Sequence, residues 1–374
     1  MIIYYLITLA AALLAELFCR LGNKNKRSRW VVFVLIIVLF SFFAGARAAT
    51  VGTDTRGYGI SAYNTANAGT IGYFFFDSAY KSWSPLAKLV MWLSANMGTT
   101  SFSYFFCLEA LTVIPVLIAS SRLTTRWFPL AVVVFGIMFY PMSFNIMRQM
   151  ISMGFILLCF ERLVSRKLLG SVLSFLMALG FHNSAYIGLL IYPVYFIAIS
   201  KSFSLFVKVA LILTVSLAGL VLARPLLDFV SGVTGYFAAY VSGSAVVDGG
   251  GLRTGLELVA IALGLSMLAI IFLRGRELGE QWRCVNGPLV LLVFFGIAVY
   301  FVSLISFWLY RISFYFIIFS VPTIPLIARE VPRTPERRIY VFAVVISLIL
   351  VSFDYYYICK FNEVVPYEFS TILF

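Results

Sequence analysis

The sequence predicts an all-α fold, a polytopic transmembrane helical bundle of about twelve spans. Three observations predict it. Of the 374 residues, 62% are hydrophobic and only 11% are charged, whereas a soluble domain carries about 25% charged residues. Mean hydropathy is +1.00. The apolar residues come in long unbroken runs, which suit helices of about 20 residues crossing the hydrocarbon core. Barrel strands would alternate in short segments instead.

In order, the runs are 2–21, 30–46, 102–120, 128–142, 148–164, 168–181, 183–199, 205–223, 256–273, 287–306, 312–328 and 339–357. Several are short for a perpendicular crossing and call for tilt or local thinning. After Pro85, Leu86, Leu89, Val90 and Leu93 recur at helical spacing over a stretch too short to span. That stretch reads as an interfacial helix. Lysines and arginines collect in alternate loops, 19 of the 28 on one side and 9 on the other. The richer side is cytoplasmic, so both termini face outward.

The chain is then a single integral membrane domain, residues 1–374, with two long outer connections. The outer loop 47–101 is rich in aromatic and polar groups and reads as ordered, with the interfacial helix inside it. The outer loop 224–255, with Gly249-Gly250-Gly251, reads as mobile. No internal repeat stands out, which counts weakly against a repeat-built transporter. The net charge of +13 does not imply nucleic acid, because the basic residues lie between apolar runs. Cys19, Cys107, Cys159, Cys284 and Cys359 form no CxxC pair and give no disulfide framework. The first run lacks a basic leader and a small-residue cleavage site, and reads as a span rather than a signal peptide.

Four polar features fall at one membrane depth on the outer side. They are Arg47 with Val51-Gly52-Thr53-Asp54-Thr55-Arg56-Gly57-Tyr58, Arg148-Gln149, His182-Asn183-Ser184, and Tyr310-Arg311. Arg47, Arg148 and Arg311 each either snorkel to headgroups or face a cavity, partner or phosphate. As a set they favour a phosphate, whose oxygens guanidinium grips bidentately. Asp54 is either a helix cap or a carboxylate that takes a proton from a sugar hydroxyl. His182, the only histidine, is either a satisfied helix-end residue or a general base or donor. One histidine and a single nearby carboxylate are too few for a metal site. Tyr58, Tyr63, Tyr73, Tyr80 and Trp83 form an interfacial belt or stack on sugar rings. Glu109, in mid-span, is a protonated, hydrogen-bonded acid or part of a pathway.

Taken in order, these motifs resemble the EpsG-type group of Wzy-like O-antigen and exopolysaccharide polymerases. The match lies in Arg47…Gly52-Thr53-Asp54-Thr55…Tyr58, Ile146-Met147-Arg148-Gln149, Phe181-His182-Asn183-Ser184-Ala185 and Tyr310-Arg311-Ile312-Ser313-Phe314-Tyr315-Phe316. It covers about residues 30 to 330. Two departures stand out. Lys81-Ser82-Trp83 occupies the place of an acidic residue followed by a Gly-aromatic pair, and Ser152 stands where alanine usually follows the Arg-Gln pair.

The resemblance implies a GT-C-like membrane glycosyltransferase on the outer, periplasmic face of the bacterial inner membrane. Its substrate would be an undecaprenyl-pyrophosphate-linked oligosaccharide. The lipid pyrophosphate is already a good leaving group, so no nucleotide sugar, cofactor or metal is called for. Arg47, Arg148 and Arg311 would hold the departing pyrophosphate, with Thr53, Thr55, Arg56, Tyr58, Gln149 and Tyr310 completing the binding surface. Asp54 or His182 would activate the acceptor hydroxyl. Membrane lipids surround such a protein, and a chain-length regulator is the protein partner the resemblance brings in. Two rivals remain: an O-antigen ligase, which shares donor and face, and a lipid-linked oligosaccharide flippase. A flippase needs a polar path through the bilayer, and here the polar groups gather at one face.

Overall fold

The computed structural model describes residues 1–22, 25–98, 100–204, 206–208, 210–211, 214, 282–302, 309–331 and 334–371. The expected loop 224–255, the run 256–273, most of 205–223 and the Tyr310 side chain lie outside the described residues. Among the described residues the chain is nearly all helical and forms no strand. It divides into two compact units, Met1–Gly188 with Val321–Phe374, and Leu189–Ser320.

The first unit contains α1 (Ile2–Leu21), α2 (Lys26–Ala46), α3 (Ile60–Ala68), α4 (Pro85–Ala95), α5 (Ser101–Thr124), α6 (Phe128–Val134), α7 (Tyr140–Ser143), α8 (Met147–Val164) and α9 (Leu168–Phe181). The second contains α10 (Ile191–Ile199), α11 (Gly287–Val302) and α12 (Leu309–Ile317). From Val321 on, α13 (Ser320–Glu330) belongs again to the first unit, as does α14 (Thr334–Phe353). Within the second unit α11 packs on α10 and α12, with the rings of Phe295 and Phe316 at 4.7 Å.

Among the described residues five stretches are long and apolar enough to cross a membrane: Ile2–Leu21, Lys26–Ala46, Ser101–Ser143, Arg311–Glu330 and Thr334–Ile358. Their faces show why. In α1, Ile2, Leu6, Leu9, Leu13 and Leu17 are exposed, while Tyr4, Ile7, Ala11, Ala15 and Phe18 are buried. Both faces are apolar, so the exposed stripe is suited to lipid rather than water. The protein is a membrane protein.

Ser101–Ser143 counts as one stretch of 43 residues. Drawn out as a single helix it would measure about 65 Å, twice the hydrocarbon thickness. Thr125, at φ 51, breaks it. Before the break α5 packs against α2 and α8, and after it α6 packs against α1. The two runs 102–120 and 128–142 are therefore separate elements. α8 is 18 residues long and carries Arg148, Glu161 and Arg162, with Glu161 paired to Arg122 at 3.2 Å at the helix's far end.

Candidate active site at one end of the first unit

The loop after α2 is folded, not open. Gly52 at φ 93 turns the chain, and a Cβ there would meet the Phe144 carbonyl oxygen at 2.6 Å. Glycine alone fits both the backbone and the close approach. Thr55–Gly59 then forms a wide helical turn running into α3.

Arg47 is the first residue past α2 and is only 3% exposed. Its Nε donates to Thr55 Oγ1 at 3.1 Å, Nη1 to the Ala44 carbonyl, and Nη2 to Met147 Sδ at 3.3 Å. The guanidinium also lies over the rings of Phe105 and Phe144, at 4.1 and 4.5 Å. Arg47 is thus an internal clamp joining α2, the Thr53–Thr55 turn and the start of α8. Thr55 Oγ1 passes the link on to the Phe144 carbonyl at 3.2 Å.

Arg148 differs. It stands one residue into α8, with its guanidinium 3.8 Å from the Trp83 ring and 5.5 Å from the Tyr58 ring. Its Nε is buried and has no hydrogen-bond partner among the described residues. A cation at a helix N-terminus adds to the positive end of the macrodipole, so the place is electropositive and favours an anion. Gln149, the next residue, is 4% exposed.

The Tyr58 hydroxyl donates to Asp54 Oδ2 at 2.6 Å. Burial, and then the Asp54 carboxylate beside it, push the Tyr58 phenol well above its ordinary range, with Arg148 opposing. Tyr58 therefore stays a neutral donor and holds the carboxylate in place. Thr53 Oγ1 and the Asp54 backbone N–H both donate to Asn145 Oδ1, the second at 3.3 Å. Arg56 is exposed and pairs with Glu363 at 2.6 Å.

His182 ends α9 in an extended conformation. The Ser184 backbone N–H points at its Nδ1 at 3.3 Å, and the Ser184 hydroxyl lies 2.7 Å away. A backbone amide only donates, so Nδ1 is the accepting nitrogen and the ring proton sits on Nε2. The site-facing end of the motif is tied to the loop through Asn183 Oδ1, which accepts from the Ser84 hydroxyl at 2.6 Å. Ser84 immediately precedes α4 and follows Trp83, so His182-Asn183 and the Arg148 platform meet along one short path. α4 is seated on α9 where Gly180 leaves room for Leu86.

Arg47, Thr53, Asp54, Thr55, Tyr58, Arg148 and the His182 turn thus come together in the first unit. Tyr310 and Arg311 lie on α12 of the second unit. Sequence reasoning missed Asn145, Asn362 and Glu363, which hold the turn. Asn145 was detectable as a buried polar residue three positions before Arg148; the tail residues gave no signal. Trp83, read as a belt residue or a sugar platform, is the surface on which Arg148 lies. Tyr63 is buried beside Tyr104, at 5.8 Å between rings, and Tyr73 is half exposed. Glu109 is buried, with the Ser143 hydroxyl 2.7 Å from its Oε2. Among the described residues no group of three His, Cys, Asp or Glu side chains is gathered that could hold a metal ion.

The motifs that build this end of the bundle lie inside a single family match: the EpsG family model fits residues 30–369. The chain belongs to the EpsG family. Membership makes it a membrane protein of the polysaccharide-polymerase type. No curated protein and no solved structure matches the chain.

Proposed function

We propose that this EpsG-family protein is a metal-independent, GT-C-like glycosyltransferase that polymerises undecaprenyl-pyrophosphate-linked oligosaccharide repeat units on the outer face of a bacterial inner membrane. The supporting observation is Arg148, a cation on an aromatic platform at a helix N-terminus, with a buried Nε that has no partner among the described residues. A pyrophosphate oxygen would complete it. The bond between the growing chain's anomeric carbon and the pyrophosphate breaks. The bonding pair leaves with the lipid pyrophosphate, whose charge Arg148 neutralises. The acceptor hydroxyl oxygen bonds that carbon, and its proton passes to Asp54. His182, with its proton on Nε2, donates a hydrogen bond to substrate. Arg47 acts through the turn it clamps.

An Arg148→Lys variant tests this reading, because an ammonium reproduces neither the bidentate grip nor the stacking. Lipopolysaccharide or exopolysaccharide from a deletion strain complemented with it should carry single repeat units with little chain extension, at normal protein level. Full-length chains would overturn the pyrophosphate role. Complete loss of even a single capped repeat in the deletion strain would point to a ligase instead.

A further inference from the structure

We infer that Asn362 is a positioning residue, holding the Asn145 amide in the orientation that fixes Thr53 and Asp54 beside Arg148. This rests on the reading of Asp54 and Arg148 as a reacting pair. Asn145 and Asn362 are 3% and 9% exposed. The Asp54 N–H can only donate, so the Asn145 atom facing it is Oδ1, which the Thr53 hydroxyl also reaches. Asn145 Nδ2 then faces the other way and donates to Asn362 Oδ1 at 2.6 Å. A flipped Asn145 would set its NH₂ against the Asp54 N–H, two donors in a buried place. Asn362 supplies the acceptor that makes the working orientation the better one.

The turn that presents Asn362 is strained and firmly held. Asn362 has φ 67, with Lys360 at 51 and Glu363 at 49. Left-handed backbone is tolerated by asparagine but disfavours most other side chains, and it persists only where the surroundings fix it. Here they do. The Glu363 carbonyl accepts from the Gly52 N–H at 3.0 Å, its carboxylate pairs with Arg56, and the Val364 carbonyl accepts from the Tyr4 hydroxyl at 2.7 Å. The Glu368 carbonyl accepts from the Ala48 N–H at 2.8 Å. The tail therefore grips the 48–56 turn from both ends, and Asn145 carries that grip to the approach of α8. One amide pair sets the register between carboxylate and arginine.

Full-length protein in nanodiscs tests this with two variants. Asn362→Gly removes the amide and relieves the backbone, while Asn362→Asp keeps both the acceptor and the tolerance of φ 67. For Asn362→Gly, kcat for repeat-unit transfer should fall about 10-fold or more with KM within about twofold, since a small misplacement of reacting groups is costly. Hydrogen exchange at Gly52 and Asp54 should rise while α5 stays protected. Asn362→Asp should behave as the natural protein in both. Unchanged exchange and kcat in Asn362→Gly would overturn the inference, as would an Asn362→Asp as impaired as Asn362→Gly. If the natural protein shows no polymerisation at all, the reaction reading fails by itself, and exchange still decides whether Asn362 holds the turn.

Discussion

Asp54 and His182 both stand at the acceptor end of the proposed reaction, and their hydrogen bonds divide the labour. Asp54 receives the Tyr58 hydroxyl and is fixed by its own backbone N–H, so its carboxylate is oriented before substrate arrives. His182 carries its ring proton on Nε2, because Nδ1 accepts from the Ser184 backbone N–H. Asp54→Asn keeps the Tyr58 partner yet cannot take a proton, so turnover per folded molecule should fall about 10²–10⁴-fold, the usual worth of a general base. His182→Ala removes one donor and should lower turnover about 10- to 100-fold, the worth of a hydrogen bond to a charged group. Rates of repeat-unit transfer normalised to purified protein decide both. An Asp54→Asn enzyme near natural turnover would exclude that carboxylate as base.

At the scale of elements, the 47–101 loop does the assembling. Its helix α4 was readable from Leu86, Leu89, Val90 and Leu93 because an amphipathic repeat is a local property of sequence. The gathering of Arg47, Asp54, Arg148 and His182 at one end was readable too, because alternating span direction and charge bias fix which loops share a side. What each arginine does there was not. Arg47 and Arg148 read alike, but one is sealed between Phe105 and Phe144 while the other lies on Trp83, and only three-dimensional packing separates them. The grip of the tail on the turn joins residues more than 300 positions apart, from Gly52 to Glu363, with no local pattern to announce it. Gly52 itself gives a sharp test of that turn. Gly52→Ala should destabilise by about 1–2 kcal/mol or more, from left-handed strain plus the clash with the Phe144 carbonyl. Gly57→Ala, where an added Cβ meets open space, should stay within about 0.5 kcal/mol. Thermal unfolding of the purified variants measures the difference, and equal midpoints would contradict the close approach.

For the whole molecule, the question is which side of the membrane the site faces. Within the first unit the chain start, the tail and the end of α2 meet. Tyr4 bonds the Val364 carbonyl, and Tyr367 bonds the Phe43 carbonyl at 2.6 Å. The opposite end gathers Arg122, Glu161 and Arg162, and there Cys19 Sγ lies 3.5 Å from the Thr125 carbonyl oxygen. Under the proposed function the Asp54–Arg148 end faces outward and the opposite end, with Arg122 and Arg162, faces the cytoplasm, where a positive-inside bias would put such arginines. In that orientation the proposed lipid-linked donor on the outer leaflet would reach Arg148 without crossing the bilayer. Cysteine labelling reads the orientation directly. In a background with the five natural cysteines replaced, Asn67→Cys sits on an exposed position of α3 and should react with a membrane-impermeant thiol reagent in intact spheroplasts. Ser202→Cys, exposed after α10, should react only once the membrane is permeabilised. The reverse pattern would turn the protein over, place Asp54 and Arg148 on the cytoplasmic side, and require a donor presented before export rather than after it.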